Sequence, residues 1–214
     1  MNESVSIPYQ RWVFVCTIGE FVGFAGIPVL GGVLAIWLTT GLESSVQSIV
    51  LYIVAVIGGL GEGAVLALFQ LRVLSESLPT LNARHWVIGT AAAAAFAWAC
   101  GMLAPTLDEI VEISAKTQIA IWVPASLLIL FSIGGAQAWV LRQVVENPIS
   151  WMVANSLGWL AGLPWTFALP ALLPDSAPIA WWITAFAIAG ILMGATVGLI
   201  TGAFLMRLRP IRET

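Results

Sequence analysis

An all-α membrane protein, six transmembrane helices arranged as three pseudo-equivalent two-helix repeats, is the fold this sequence predicts. Composition is the first reason: the chain is 60% hydrophobic and only 9% charged, with a mean hydropathy of +0.98, whereas soluble domains carry about a quarter charged residues. Length is the second. A membrane span takes about 20 largely apolar residues, and six stretches qualify, approximately 12–38, 46–70, 86–104, 118–142, 150–172 and 179–206. Recurrence of tryptophan, glutamine and small residues at matching positions is the third. Residues 1–214 are therefore expected to form a single transmembrane domain, with little chain left for a soluble one.

Span 1 follows MNESVSIPYQ, which has no basic residue before Arg11. Its apolar run is far longer than the roughly 7–15 residues of a signal-peptide core, so it is expected to stay in the mature protein. Pro28 lies well inside it, Pro124 early in span 4 and Pro164 inside span 5, where membrane helices tolerate proline with a kink. Spans 3 and 4 are expected to be joined by an outer connection, APTLDEIVEISAKTQ. Its Ile110, Val111 and Ile113 between acids suit either a short surface helix or a solvated loop. Span 6 carries Gly190, Gly194, Gly198 and Gly202, one every fourth residue. In water each interior glycine costs about 0.8–1.0 kcal/mol relative to alanine. In a bilayer such a glycine zipper lets two backbones approach and gain van der Waals contact. Spans 2, 4 and 6 are expected to form an inner trio along the bundle axis.

The repeats are read from two sets of columns. Aligning Trp12, Trp86 and Trp151 at the starts of the odd spans puts Gly19, Ala93 and Gly158 in one column and Gly23, Ala97 and Gly162 in another. In the even spans Gln70, Gln137 and Thr201 align, as do Ala67, Gly134 and Gly198, and Gly63 matches Gly194 where the middle copy has Leu130. The units cover about 10–74, 84–143 and 149–208. Each crosses twice, so all share one orientation and imply a pseudo-threefold axis along the membrane normal.

Seven of the eight basic residues lie at one set of ends: Arg11, Arg72, Arg84, Arg142, Arg207, Arg209 and Arg212, against Lys116 alone at the other. Short loops rich in Lys and Arg stay cytoplasmic, so both termini are expected inside. The opposite loops hold Glu43, Asp108, Glu109, Glu112 and Asp175. The net charge of −3 and the absence of a basic cluster argue against a nucleic-acid partner. Membrane lipids, and other membrane subunits, are the partners expected. Of the tryptophans, Trp12, Trp86, Trp139 and Trp151 are expected in an inner interfacial belt and Trp37, Trp122, Trp165, Trp181 and Trp182 in an outer one. Trp98 and Trp159 lie deeper, as packing residues.

Chemistry concentrates on two carboxylates. Glu20 follows Trp12 by eight residues and Glu62 precedes Gln70 by eight. With both anchors near the inner interface and antiparallel spans, each acid lies about 12 Å deep at 1.5 Å per residue. A charge near the bilayer centre costs about 2.5–3.5 kcal/mol on insertion scales, and such residues usually face a protein interior. The pair can share a proton or bind a cation, or each can be a neutral acid fastening helices together. Gln70, Gln137 and Thr201 are expected to form a polar ring, with Asn155 and Thr90 slightly deeper. His85, the only histidine, has no second histidine or cysteine pair to complete a metal site. Cys16 and Cys100 sit at different depths, so no disulfide is expected. There is no phosphate loop, HExxH or GxSxG; neither catalysis nor a cofactor is expected.

The stretch QAWVLRQVVENPISWMVANSLGWLAG, with its Gln, Leu-Arg, Trp and Gly-Trp spacing, resembles a group of uncharacterised six-span bacterial membrane proteins built from Gly/Trp/Gln two-helix repeats. The resemblance implies the fold and the bacterial inner membrane, and no activity. The function expected is non-catalytic: an accessory subunit, or a binder of lipid or another hydrophobic ligand. The alternative is a small proton- or cation-coupled transporter or channel using Glu20 and Glu62.

Overall fold

The computed structural model describes residues 8–211; the expectations for the two termini and for Arg212 lie outside the described residues. Within them the chain is helical, and the one β-type contact is an isolated antiparallel bridge between Val145 and Pro210. The first segment is continuous over 31 residues: α1 (Tyr9–Glu20), a π-helix (Phe21–Val29) and α2 (Leu30–Thr39). Pro28 lies in the π-helical part. In an α-helix a proline ring clashes with the carbonyl four residues back and removes one hydrogen bond. The wider π winding accommodates it, so the segment continues without breaking.

Helix α3 (Ser44–Ser77) is followed by α4 (Ala83–Val111) and α5 (Ala115–Leu141). The long outer connection expected between the third and fourth spans is corrected. Helix α4 runs through Pro105 to Val111 because Leu103, Leu107 and Ile110 continue the helical apolar period. It stops at Glu112, which turns left-handed at φ 48°. Helix α5 then starts from Ser114, whose side chain accepts from the Thr117 backbone N–H.

The fifth apolar stretch is broken. Helix α6 (Pro148–Gly162) is capped by the Asn147 side chain, and α7 (Pro164–Ala168) and a 3-10 turn (Pro170–Leu172) follow. Pro164 and Pro170 each open a new short element. Helix α8 (Ile179–Leu205) is unbroken. Five helical segments, all but this fifth stretch, are thus long and apolar enough to cross a membrane. The protein is a multi-pass membrane protein.

Each segment packs on the next in sequence, and α8 returns to α1, so the segments close into a ring. The expected inner trio of α3, α5 and α8 is corrected: these helices share no packing seam with one another among the described residues. Their small-residue faces turn sideways, onto the next hairpin. A Cβ at Gly63 would lie 2.7 Å from the Thr90 carbonyl oxygen, one at Gly134 3.0 Å from that of Met152, and one at Gly194 2.9 Å from that of Cys16. The α8 stripe lies along the first segment: Gly190 meets Phe24, Gly194 meets Glu20, Gly198 meets Val13 and Cys16, and Gly202 meets Trp12 and Tyr9. Spacing alone shows that backbones approach, not which ones.

Outside the ring, Phe14, Leu34, Ile57, Leu68, Val123 and Leu157 are exposed. A bilayer, unlike water, accepts such a surface without loss. At the arginine-rich end, the last described residues strap the α5–α6 connection, with Glu146 N–H donating to Arg209 O at 3.0 Å and Ile211 N–H to Val144 O at 3.0 Å. Arg11 meets Glu76 through two hydrogen bonds of 2.7 and 2.8 Å, joining the start of α1 to the end of α3.

Candidate functional site

Inside the ring, the arginine-rich half is filled. Trp12, Trp86 and Trp151 are fully buried, with Trp12 edge-on to Trp151 at 5.6 Å and Trp86 6.2 Å from Trp151. Their expected place in an interfacial belt is corrected. Two of the three indoles find polar partners inside the ring, while Trp86 Nε1 has none among the described residues. Trp12 Nε1 donates to Thr201 Oγ1 at 2.9 Å and Trp151 Nε1 to Gln137 Oε1 at 3.0 Å. Trp139, by contrast, is 48% exposed, beneath the Arg142 guanidinium.

The polar residues expected as a ring meet in this layer. Gln137 Nε2 donates to Gln70 Oε1 and to Thr90 Oγ1, each at 3.1 Å, and Asn155 Nδ2 donates to Gln137 Oε1 at 3.3 Å. Gln137 is the hub, because it joins α3, α4 and α6. Thr201 is tied to Trp12 and to the Val197 carbonyl instead. Hydrogen bonds between membrane helices average about 0.6 kcal/mol, so the layer sets helix register more than it adds stability. Leu74, Leu78, Leu141, Val145, Leu205 and Leu208, all buried, close the ring beyond the tryptophans.

About two turns deeper than Trp12 and Gln70 lie Glu20, fully buried, and Glu62, 5% exposed. Both stand at the seam between the first segment and α3, Glu20 three residues before the Gly23 that packs on Glu62. Small residues make that possible: a Cβ at Gly23 would lie 3.0 Å from Glu62 O, and one at Gly194 2.7 Å from Glu20 Cβ. Glu62 accepts a 2.6 Å hydrogen bond from Trp98 Nε1, short as expected of a bond to a carboxylate. Gly59 positions that indole, since any Cβ there would overlap the Trp98 ring. Neither oxygen of Glu20 has a donor among the described residues.

Beyond the carboxyls, the other half of the ring is a cavity of about 810 Å³. Its floor is Glu62, Ile133, Trp159 and Met193, and its walls include Phe24, Trp98 and Phe186. Phe24 stacks on Trp98 at 6.1 Å and meets Phe186 edge-on at 6.2 Å. Exposed Ile36, Phe167 and Ile179 mark its rim, toward the acidic end. Pockets that hold small molecules are mostly apolar and about 300–1,000 Å³. Here Glu62 is the one charged lining residue among those described. Trp159 Nε1, buried at the floor, has no partner among the described residues.

Counting residues from Trp12 and Gln70 puts Glu20 and Glu62 at one depth, and both stand at the seam between the first segment and α3. It did not find the chamber, for Trp98 and Trp159, expected as packing residues, face into it. The available signal was the small residues beside the deep Trp98 on its own helix, Ala94, Ala97 and Gly101, which line the chamber with it. His85 stays exposed beside Trp139, 5.9 Å away. Cys16 and Cys100 are both free thiols. Comparison with protein-family models, with curated proteins and with solved structures finds no match to this chain.

Proposed function

We propose that this is a non-catalytic membrane protein that holds a hydrophobic ligand, a lipid or another apolar molecule, in the chamber between its helices. One observation carries the reading: an apolar chamber of about 810 Å³, reached from the acidic end and sealed toward the other by the tryptophan cluster. A packed bundle with a purely structural role has no reason to keep such a space, because voids forfeit dispersion contacts. The role of accessory subunit is compatible with this reading, the ligand then being carried for a partner.

The reading includes a six-span, three-hairpin architecture in a bacterial inner membrane, with the arginine-rich end cytoplasmic. The fifth stretch would cross as the α6–α7 pair. Matching contacts support the repeat. Gly134 meets Met152 O and Asn155 Cβ as Gly198 meets Val13 O and Cys16 Cβ; Gly63 meets Thr90 O and Ala94 Cβ as Gly194 meets Cys16 O and Glu20 Cβ. These pairs fall in the aligned columns.

Native mass spectrometry after mild extraction tests the ligand. The wild type is expected to retain an apolar adduct that Ala97→Trp, which fills the chamber, loses. Absence of an adduct from wild type overturns the reading. A second reading, proton- or cation-coupled transport, is favoured by the donorless Glu20 beside Glu62. It requires flux in proteoliposomes that Glu20→Gln and Glu62→Gln each abolish with the fold intact.

A further inference from the structure

We propose that the chamber's ligand is a lipophilic amine, its cationic nitrogen seated at Glu62 in exchange for a proton held between Glu62 and Glu20. The inference rests on the hydrophobic-ligand reading and adds the ligand's chemical class. Three features of the floor point the same way. Among the described residues the one charged group reaching the chamber is a carboxylate, and no Lys, Arg or His lines it to compensate. Around it stand the rings of Trp98, Trp159 and Phe24, and aromatic faces attract cations, most strongly where water is excluded. Trp159 Nε1–H, 94% of whose residue is buried, is free to donate. It suits a hydroxyl, ether or carbonyl oxygen on the same ligand near the nitrogen.

Glu20 supplies the exchange. Its two oxygens lack any donor among the described residues, and two buried carboxyls close to one another away from water hold a proton between them when no other cation is present. Cys16, one turn earlier in α1, is the other titratable side chain beside the pair; α4 faces it with Ala94 and Trp98, and α8 with Gly190 and Gly194, none of which titrates. When the amine arrives already charged, the shared O–H bond breaks, its electron pair stays on the carboxylate oxygen, and the proton leaves to solvent. One positive charge enters as one leaves, so the net charge of the buried site is unchanged. Apparent affinity for a permanent cation therefore rises with pH while the pair holds its proton.

The test uses the full chain in lipid nanodiscs with two probes that share a chain and hydroxyls: N,N,N-trimethylsphingosine, a permanent cation, and neutral N-acetylsphingosine. Binding is measured against empty nanodiscs. Wild type should bind the cation at least tenfold tighter than the neutral probe and release about one proton per cation bound in weak buffer. Glu62→Gln should abolish both the preference and the release. The wild-type comparison stands even if that variant does not fold. Equal binding of the two probes by wild type overturns the amine assignment and leaves the hydrophobic-ligand reading in place. Binding of neither, with no adduct in native mass spectrometry, overturns both.

Discussion

Glu62 and Glu20 share a depth but not a set of partners, and substitutions should separate them. Glu62→Leu removes the acceptor of Trp98 Nε1, and orphaning a buried donor costs about 1–3 kcal/mol. Glu20→Leu leaves no N–H behind, because none reaches its oxygens. Melting curves in detergent should therefore show Glu62→Leu well below Glu20→Leu. The reverse order would mean that Glu20, not Glu62, fastens the helices. Depth was legible because both acids stand eight residues from residues anchored at one end of antiparallel helices. The partner was not. Whether α4 turns Trp98 toward Glu62 depends on its rotation, which the missing side chain of Gly59 permits and which no spacing in α4 reveals.

Among the elements, the α8 glycine face decides how closely the last segment returns to the first. A leucine at Gly194 would meet Glu20 Cβ and the Cys16 carbonyl, and one at Gly198 would meet Val13 and Cys16. Overpacking a well-filled seam typically costs about 1–3 kcal/mol. Gly194→Leu and Gly198→Leu should each melt well below Leu199→Ala, whose side chain is 48% exposed on the opposite face. Equal melting would place the glycine face against lipid. Hydropathy read the apolar segments from composition, since a bilayer demands them. Their ends were less legible. Pro105 lies inside α4 whereas Pro164 opens a new helix, and this difference is set by what surrounds each proline, not by proline itself.

At the scale of the molecule, the ring explains how one sequence makes both a seal and a chamber. Large indoles and glutamines occupy the axis at one end. Toward the other, small residues such as Ala94, Ala97 and Gly101 line it, and the π-helical stretch carries Phe24 and Pro28 along its wall. That distribution is invisible to a reading helix by helix, because the axis belongs to no single helix. The ring also fixes sidedness: reporters at residues 78 and 146 should appear on one side of the membrane and those at 42, 113 and 175 on the other. A reporter at 146 on the side of 175 would show that the α6–α7 pair does not cross.

The claim that the chamber holds an apolar ligand is tested most directly by photolabelling in nanodiscs with a diazirine-bearing lipid, followed by peptide mapping. The account predicts labels on chamber residues such as Trp98, Gly101 and Trp159 that disappear in Ala97→Trp, while labels on the outer Phe14, Leu68 and Leu157 persist unchanged. Labels confined to the outer surface in wild type would contradict it.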